Sequence, residues 1–253
     1  MDPITLLIVC PLVFLAGLVD SIAGGGGLIS LTAYLLAGLP AHAALGTNKL
    51  SSSIGTAVAT ARLARGGYID FKLAVPAAVG AVAGSAIGAK LALLTPDGIF
   101  QILLVVALPF VAFAVLRKRT LEAPEDAEIS PRRQYVIVTV ASVLLGAYDG
   151  FYGPGTGTFM LIAFTAAAKL PVKHASGEVK VANLASNVAA LVTFFMHGAV
   201  WLGLGLAAAV FSIAGNYLGA GMVMKDGTKI VRPIIVAVLA LLFVKVIFDL
   251  VLQ

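Results

Sequence analysis

The sequence predicts an all-α polytopic membrane protein of two inverted-topology repeats, with about 8–10 transmembrane segments. Broken or re-entrant helices are expected after Asp20 and after Asp149. Three observations carry this. Hydrophobic residues make up 60% of the 253 and charged residues 11%, under half the charge of a soluble domain, so most of the surface must meet lipid. The apolar runs are long and unbroken, which excludes a barrel of short alternating strands and leaves helices. A glycine-rich block behind an acid occurs twice, half a chain apart.

In order, apolar runs fall at about 4–22, 28–38, 43–64, 72–94 and 98–116. A hydrophilic segment, Arg117–Arg133, follows, and runs resume at about 135–151, 158–168, 174–196, 199–224 and 230–252. Most reach the roughly 20 residues that a span needs. Runs 28–38 and 158–168 are too short to cross alone unless the glycine block supplies part of the crossing, so each half has either five crossings or three plus a re-entrant hairpin. The chain therefore divides into a first repeat (1–116), a charged linker (117–134) and a second repeat (135–253). The amino terminus lacks a basic n-region, so the first run reads as a retained span.

The halves match in places. Gly17, Asp20, Gly24 and Gly26 recur as Gly146, Asp149, Gly153 and Gly155, at an offset of 129; Ala44, Gly46 and Lys49 recur as Ala175, Gly177 and Lys180, at 131. Such a period is far too long for a solenoid and is that of a duplicated transporter half. Basic residues give orientation. Arg62, Arg65 and Lys72 mark one connection as cytoplasmic, as do the linker and Lys225, Lys229 and Arg232. The connections at Thr95–Asp97 and His197–Trp201 lack Lys and Arg and read as external. Equivalent loops thus face opposite sides. The net charge of +5 reflects this orientation signal and not nucleic-acid binding.

Consecutive glycines cannot serve packing alone, because packing needs glycine on one helix face. Gly80, Gly84 and Gly88 do fit a packing face, as do Gly215 and Gly219. Gly24, Gly25, Gly26 and Gly27 break the first half, and Gly153, Pro154, Gly155 and Thr156 break the second. Helix N-termini exposed at such breaks favour anions. Lys180, Asn183 and Asn187 share one helix face, and Lys49, Ser52 and Thr56 repeat that spacing, with Asn48 beside them. For the lysines two readings stand: snorkelling to the headgroups, or lining a pathway. Asp20 and Asp149 are candidates for coupling or for capping the next helix, and Glu178 is a coupling candidate present in one half only. Lys245 and Asp249 are spaced to pair with each other. The sequence carries no metal-ligand cluster, nucleotide loop or catalytic constellation, so neither cofactor nor enzyme activity is expected.

The AGGGG block, the ALGTNKLSSSIGT stretch and the second-half DGFYGPGTGTF and ASGEVKVANLASN stretches together resemble the TauE/SafE sulfite exporter family. The resemblance spans both halves outside the linker. It implies a secondary transporter, an exporter of small sulfur-containing anions such as sulfite, sulfoacetate or other organosulfonates, in the inner (plasma) membrane of a bacterium. Its partners would be the anion and the bilayer. A passive anion channel is the alternative, since it would use the same helix dipoles and lysines. An intramembrane aspartyl protease is a lesser one, because Tyr148–Asp149 supplies half of such a signature.

Overall fold

The computed structural model describes residues 3–96, 98–100, 102 and 129–226. The expected run 98–116 (in large part), the linker 117–128 and the run 230–252, with Lys245 and Asp249, lie outside the described residues.

Every described regular element is helical. In the first half, α1 is Pro3–Ala23, α2 Gly26–Leu36, α3 Ala41–Arg65 and α4 Phe71–Leu94. In the second, α5 is Pro131–Phe151, and α6 is Thr156–Ile162, continued by a π-helical turn over Ala163–Ala167. Helices α7, Val172–Met196, and α8, Leu202–Asp226, complete it. Helices α1, α4, α5, α7 and α8 are each long and apolar enough to cross a membrane. Helix α3 is as long as α7, but Thr47–Lys49, Ser51–Ser53 and Thr56 lower its hydropathy. It is held among other helices, with most of its residues buried. The protein is a polytopic membrane protein.

The breaks fall where glycine was expected, the first shorter and the second shifted by one residue. Helix α1 ends at Ala23 and α2 begins at Gly26, so only Gly24 and Gly25 lie between helices. In the second half the gap is Tyr152–Gly155. Gly24 sits at φ 74° and Gly155 at φ 82°, backbone that residues with a Cβ adopt only at a cost. Helix α2 folds back along α1: a Cβ on Gly26 would stand 2.1 Å from the Ala16 carbonyl. Farther along, Tyr34 donates to Ser51 of α3 at 2.8 Å. Helix α2 thus lies back along α1 and against α3.

Helix directions follow from paired contacts. Along α1 and α8 the numbers rise together, Gly215 lying against Phe14 and Leu18 and Gly219 against Leu18 and Ser21. Helices α4 and α5 also run parallel, Gly84 meeting Val143 and Gly88 meeting Ala147. These are the packing glycines, and a Cβ at Gly84 or Gly88 would come 2.1 or 2.0 Å from a carbonyl oxygen. Helices α3 and α8 are parallel through Thr47–Trp201 and Arg62–Tyr217, and α4 and α7 through Asp70–Glu178 and Ser85–Ser186. By contrast α3 and α7 are antiparallel, through Lys49–Asn187 and Thr60–Lys180. Helices α1, α3 and α8 therefore point one way and α4, α5 and α7 the other.

This arrangement gathers charge. The C-terminal ends of α3 and α8, with Arg62, Arg65 and Lys225, share one end of the bundle with the N-terminal ends of α4, α5 and α7. Those bring Lys72, Arg132, Arg133 and Lys173. One end is thus strongly basic, as expected for a cytoplasmic face.

The halves also exchange partners. Helix α1 packs on α8 and α4 on α5, while α3 and α7 cross in the centre. Apolar residues fill two large clusters, one around Val13, Leu31, Tyr34, Leu45 and Phe194, the other around Ile22, Val138, Met160, Phe164 and Val179, and a small third at Ala59, Leu63 and Ala220. Between the two large clusters the interior is polar.

Candidate functional site

Lys49 and Lys180 do not snorkel. They are 1% and 2% exposed, buried where α3 and α7 cross. Each finds an acid in the opposite half. Lys49 Nζ donates to Asp149 Oδ2 at 2.7 Å, and Lys180 Nζ to Asp20 Oδ2 at 2.5 Å. A charge in a low-dielectric interior survives only when paired in this way. Lys49 also donates to Asn187 Oδ1 at 3.0 Å and Lys180 to the Asp20 carbonyl at 2.6 Å. The capping reading of the two acids is corrected. Both lie inside α1 and α5, and the N-cap positions of α2 and α6 are Gly25 and Gly155, which make no side-chain cap.

The two breaks touch. A Cβ on Gly24 would lie 2.2 Å from the backbone carbon of Gly157, and Thr158 Oγ1 donates to the Ala23 carbonyl at 2.7 Å. The second break is pinned from within by Tyr148, whose hydroxyl donates to the Pro154 carbonyl at 2.6 Å, and by Thr156, donating to the Gly153 carbonyl at 2.7 Å. A cavity lies beside the contact. Of the expected residues, Asp20, Gly24, Gly27, Asn48, Lys49, Ser52, Asp149, Gly153, Thr156, Asn183 and Asn187 line it. Gly25, Gly26, Pro154, Gly155 and Lys180 do not line it; Lys180 reaches it through Asp20. The space open to the centre of a water molecule is about 20 Å³, room for about one water. In the first turn of α2 the Leu28 N–H donates to the Gly25 carbonyl at 3.3 Å, while Gly27, on the cavity wall, lies ahead of any α-helical carbonyl partner.

Glu178 is not part of this cavity. Its Oε1 accepts from the Asp70 N–H at 2.6 Å, at the start of α4. The equivalent contact in the other half is the Trp201 N–H donating to Thr47 Oγ1 at 2.9 Å. The one-half-only acid is a backbone acceptor, filling the place that a threonine fills elsewhere. His197 bonds within its own helix end, Nδ1 to the Thr193 carbonyl at 2.8 Å.

Several site residues escaped the motif reading. Ser186 Oγ donates to Asp149 Oδ2 at 2.5 Å, and Asn216 receives Ser21 Oγ at 2.8 Å. Their signal was only a single polar side chain inside an apolar run. Among the described residues no group of three or more His, Cys, Asp or Glu is placed to hold a metal.

Crossed buried ion pairs beside two broken helices, in a bundle of apolar spans, define a polytopic membrane protein organised around a polar centre. The chain belongs to the sulfite exporter TauE/SafE family, whose profile matches residues 9–246. It is 35% identical over 241 residues to the probable membrane transporter protein ORF9 of Sinorhizobium sp, covering 93% of this chain and 90% of that one. A probable membrane transporter protein of Haemophilus influenzae is 34% identical, over 93% of this chain and 92% of its own length. The probable membrane transporter protein YfcA of Escherichia coli K12 is 32% identical, over 98% and 91%. No solved structure matches the chain.

Proposed function

We propose that the protein is a secondary transporter that exports small sulfur-containing anions, sulfite or organosulfonates, across a bacterial inner membrane by alternating access. One observation carries the reading: two buried lysines, each held by a carboxylate of the other half, at a cavity where both halves break. Family membership supplies the substrate class. An oxyanion entering the cavity would compete with Asp20 for the Lys180 ammonium and would be drawn by the field of Lys49, which stays with Asp149. Asn48, Ser52, Asn183 and Asn187 would turn donors toward its oxygens, and the N–H groups at Gly24–Gly27 and Gly153–Thr156 would add to the field.

The two halves are read as inverted-topology repeats. Helices α1, α3 and α4 match α5, α7 and α8 in the sequence, and each matched pair points in opposite directions. Alternating access would then be an exchange of two equivalent packings. The cavity supports gating over an open pore, because room for about one water leaves no continuous path for a sulfonate. Protease chemistry needs two carboxylates sharing a proton, whereas here each carboxylate is held by its own lysine. Transport needs neither cofactor nor metal.

The test is flux of sulfite and sulfoacetate into proteoliposomes, followed by affinity measurements on purified Lys49→Gln and Lys180→Gln. Exposed Lys72→Gln is the control. Losing a charged hydrogen bond of about 1.5–3 kcal/mol predicts roughly ten- to a hundred-fold weaker binding in the two buried variants. Wild-type affinity in both would remove the lysines from the site.

A further inference from the structure

The two crossed pairs are chemically alike but are held differently. Asp149 is clamped by Lys49 and by Ser186, and its side chain is 4% exposed. Lys49 is tied down further by Asn187. Among the described residues the Asp20 carboxylate receives Lys180 alone, and its side chain is 16% exposed. Asp20 also lines a second cavity, which shares Gly27 and Ser52 with the first and adds Ser30, Thr56, Ser212 and Asn216 beside an apolar wall of Val13 and Ala16.

Two of the second cavity's first-half lining residues have quite different counterparts in the second half. The position equivalent to Ser30 is Phe159, whose ring packs against Tyr148 with centroids 5.8 Å apart. The position equivalent to Thr56 is Asn187, which is engaged by Lys49. Thr56 lines the second cavity, and its Oγ1, like Ser142 Oγ and Glu178 Oε2, is buried with no hydrogen-bond partner among the described residues. The second cavity offers about 20 Å³, enough for about one water. Such a water would stand between the hydroxyls and Asp20.

Resting on the transporter reading above, we propose that Asp20 is the proton-carrying group of the cycle and that the Thr56 cavity is its water contact, while Lys49–Asp149 is a fixed strut. An anion settling on Lys180 beside an ionised Asp20 would set two negative charges on one ammonium in a medium that screens poorly. Uptake of a proton by Asp20 removes the conflict. The proton comes from water on the side where the anion enters, and an O–H bond forms as the Asp20–Lys180 pair opens. On release of the anion the O–H ionises and the pair closes again. The charged groups facing Asp20 are Lys180 on α7 and, across the first cavity, Lys49 on α3 and Asp149 on α5. Helices α2, α6 and α8 present only Gly, Ser, Thr and Asn there. Each anion thus moves with a proton.

Sulfoacetate tests this, because both its acids stay ionised around neutral pH and any proton moved is the protein's. In proteoliposomes holding a pH-sensitive dye, inward sulfoacetate should acidify the lumen in fixed proportion to the anion taken up. Asp20→Asn should carry sulfoacetate down its gradient with no pH change, and Asp20→Glu should restore the coupling. Asp149→Asn should slow flux while keeping the wild-type proton-to-anion ratio. A coupled Asp20→Asn, or an uncoupled Asp149→Asn, overturns the assignment. Wild-type flux without acidification overturns proton coupling and leaves the transporter reading intact, whereas movement of neither sulfite nor sulfoacetate removes that reading itself. Should Asp20→Asn not fold, wild-type sulfoacetate affinity decides: a proton taken up with the anion makes binding weaken as pH rises. A flat profile refutes the proposal.

Discussion

Lys49 of α3 and Asp149 of α5 stand 2.7 Å apart across a separation of 100 residues, and Lys180 and Asp20 repeat the contact in the opposite sense. Each half therefore supplies the counter-charge for the other. Neither half can bury its lysine alone, so the crossed pairs tie assembly of the two repeats to formation of the polar centre.

Removing one member of the buried Lys49–Asp149 pair leaves a charge uncompensated. Lys49→Gln and Asp149→Asn are each expected to destabilise the protein by about 3–5 kcal/mol. The double variant should lose clearly less than the sum, because it leaves no orphan charge. Thermal unfolding of the four proteins in detergent measures the coupling, and strict additivity would show that the two groups do not sense each other.

The contact between the breaks is testable by crowding. Gly24 and Gly38 both have positive φ, but a Cβ at Gly24 would enter the Gly157 backbone, whereas at Gly38 it meets nothing within 4 Å. Gly38→Ala is expected to cost only the backbone term, about 1–2 kcal/mol. Gly24→Ala and Gly157→Ala should lose far more and abolish anion binding. Equal losses at Gly24 and Gly38 would mean that the breaks do not meet as described.

Opposite orientation of the halves is accessible to labelling. Gly67 and Gly198 are equivalent loop positions, both open, at φ 76° and 70°. Gly67 lies at the basic end of the bundle and Gly198 at the other. Cysteines placed there, with buried Cys10 replaced, should react with an impermeant reagent from opposite sides of the membrane. Reaction of both from one side contradicts the helix directions.

Glu178 offers a control on coupling. Its contact is a backbone N–H, which an amide oxygen accepts equally well, so Glu178→Gln should keep wild-type stability and proton-to-anion ratio. Glu178→Ala leaves the Asp70 N–H without its acceptor and should cost about 1–3 kcal/mol. A change in the coupling ratio of Glu178→Gln would return this acid to the transport cycle.

Much of the molecule was legible in the sequence, because lipid leaves the chain few choices. Apolar run lengths fixed the spans to within a few residues, as at 72–94 against Phe71–Leu94. Consecutive glycines, and glycine beside proline, cannot continue a helix cheaply, so both breaks were visible. So was the polar face of α3 and α7, since Lys49, Ser52, Asn183 and Asn187 follow helical spacing. Tertiary structure alone decided what those residues do. Local pattern carries no information on which lysine meets which acid, and both partners came from the other half. Nor could it show that Glu178 serves a loop N–H, or that Lys180 stands behind Asp20 outside the first cavity. The unequal surroundings of Asp20 and Asp149 arise from Ser186, Phe159 and Thr56, single side chains in apolar runs. Their meaning depends on packing between helices that are distant in sequence, where burial and pairing set the energy of a charge.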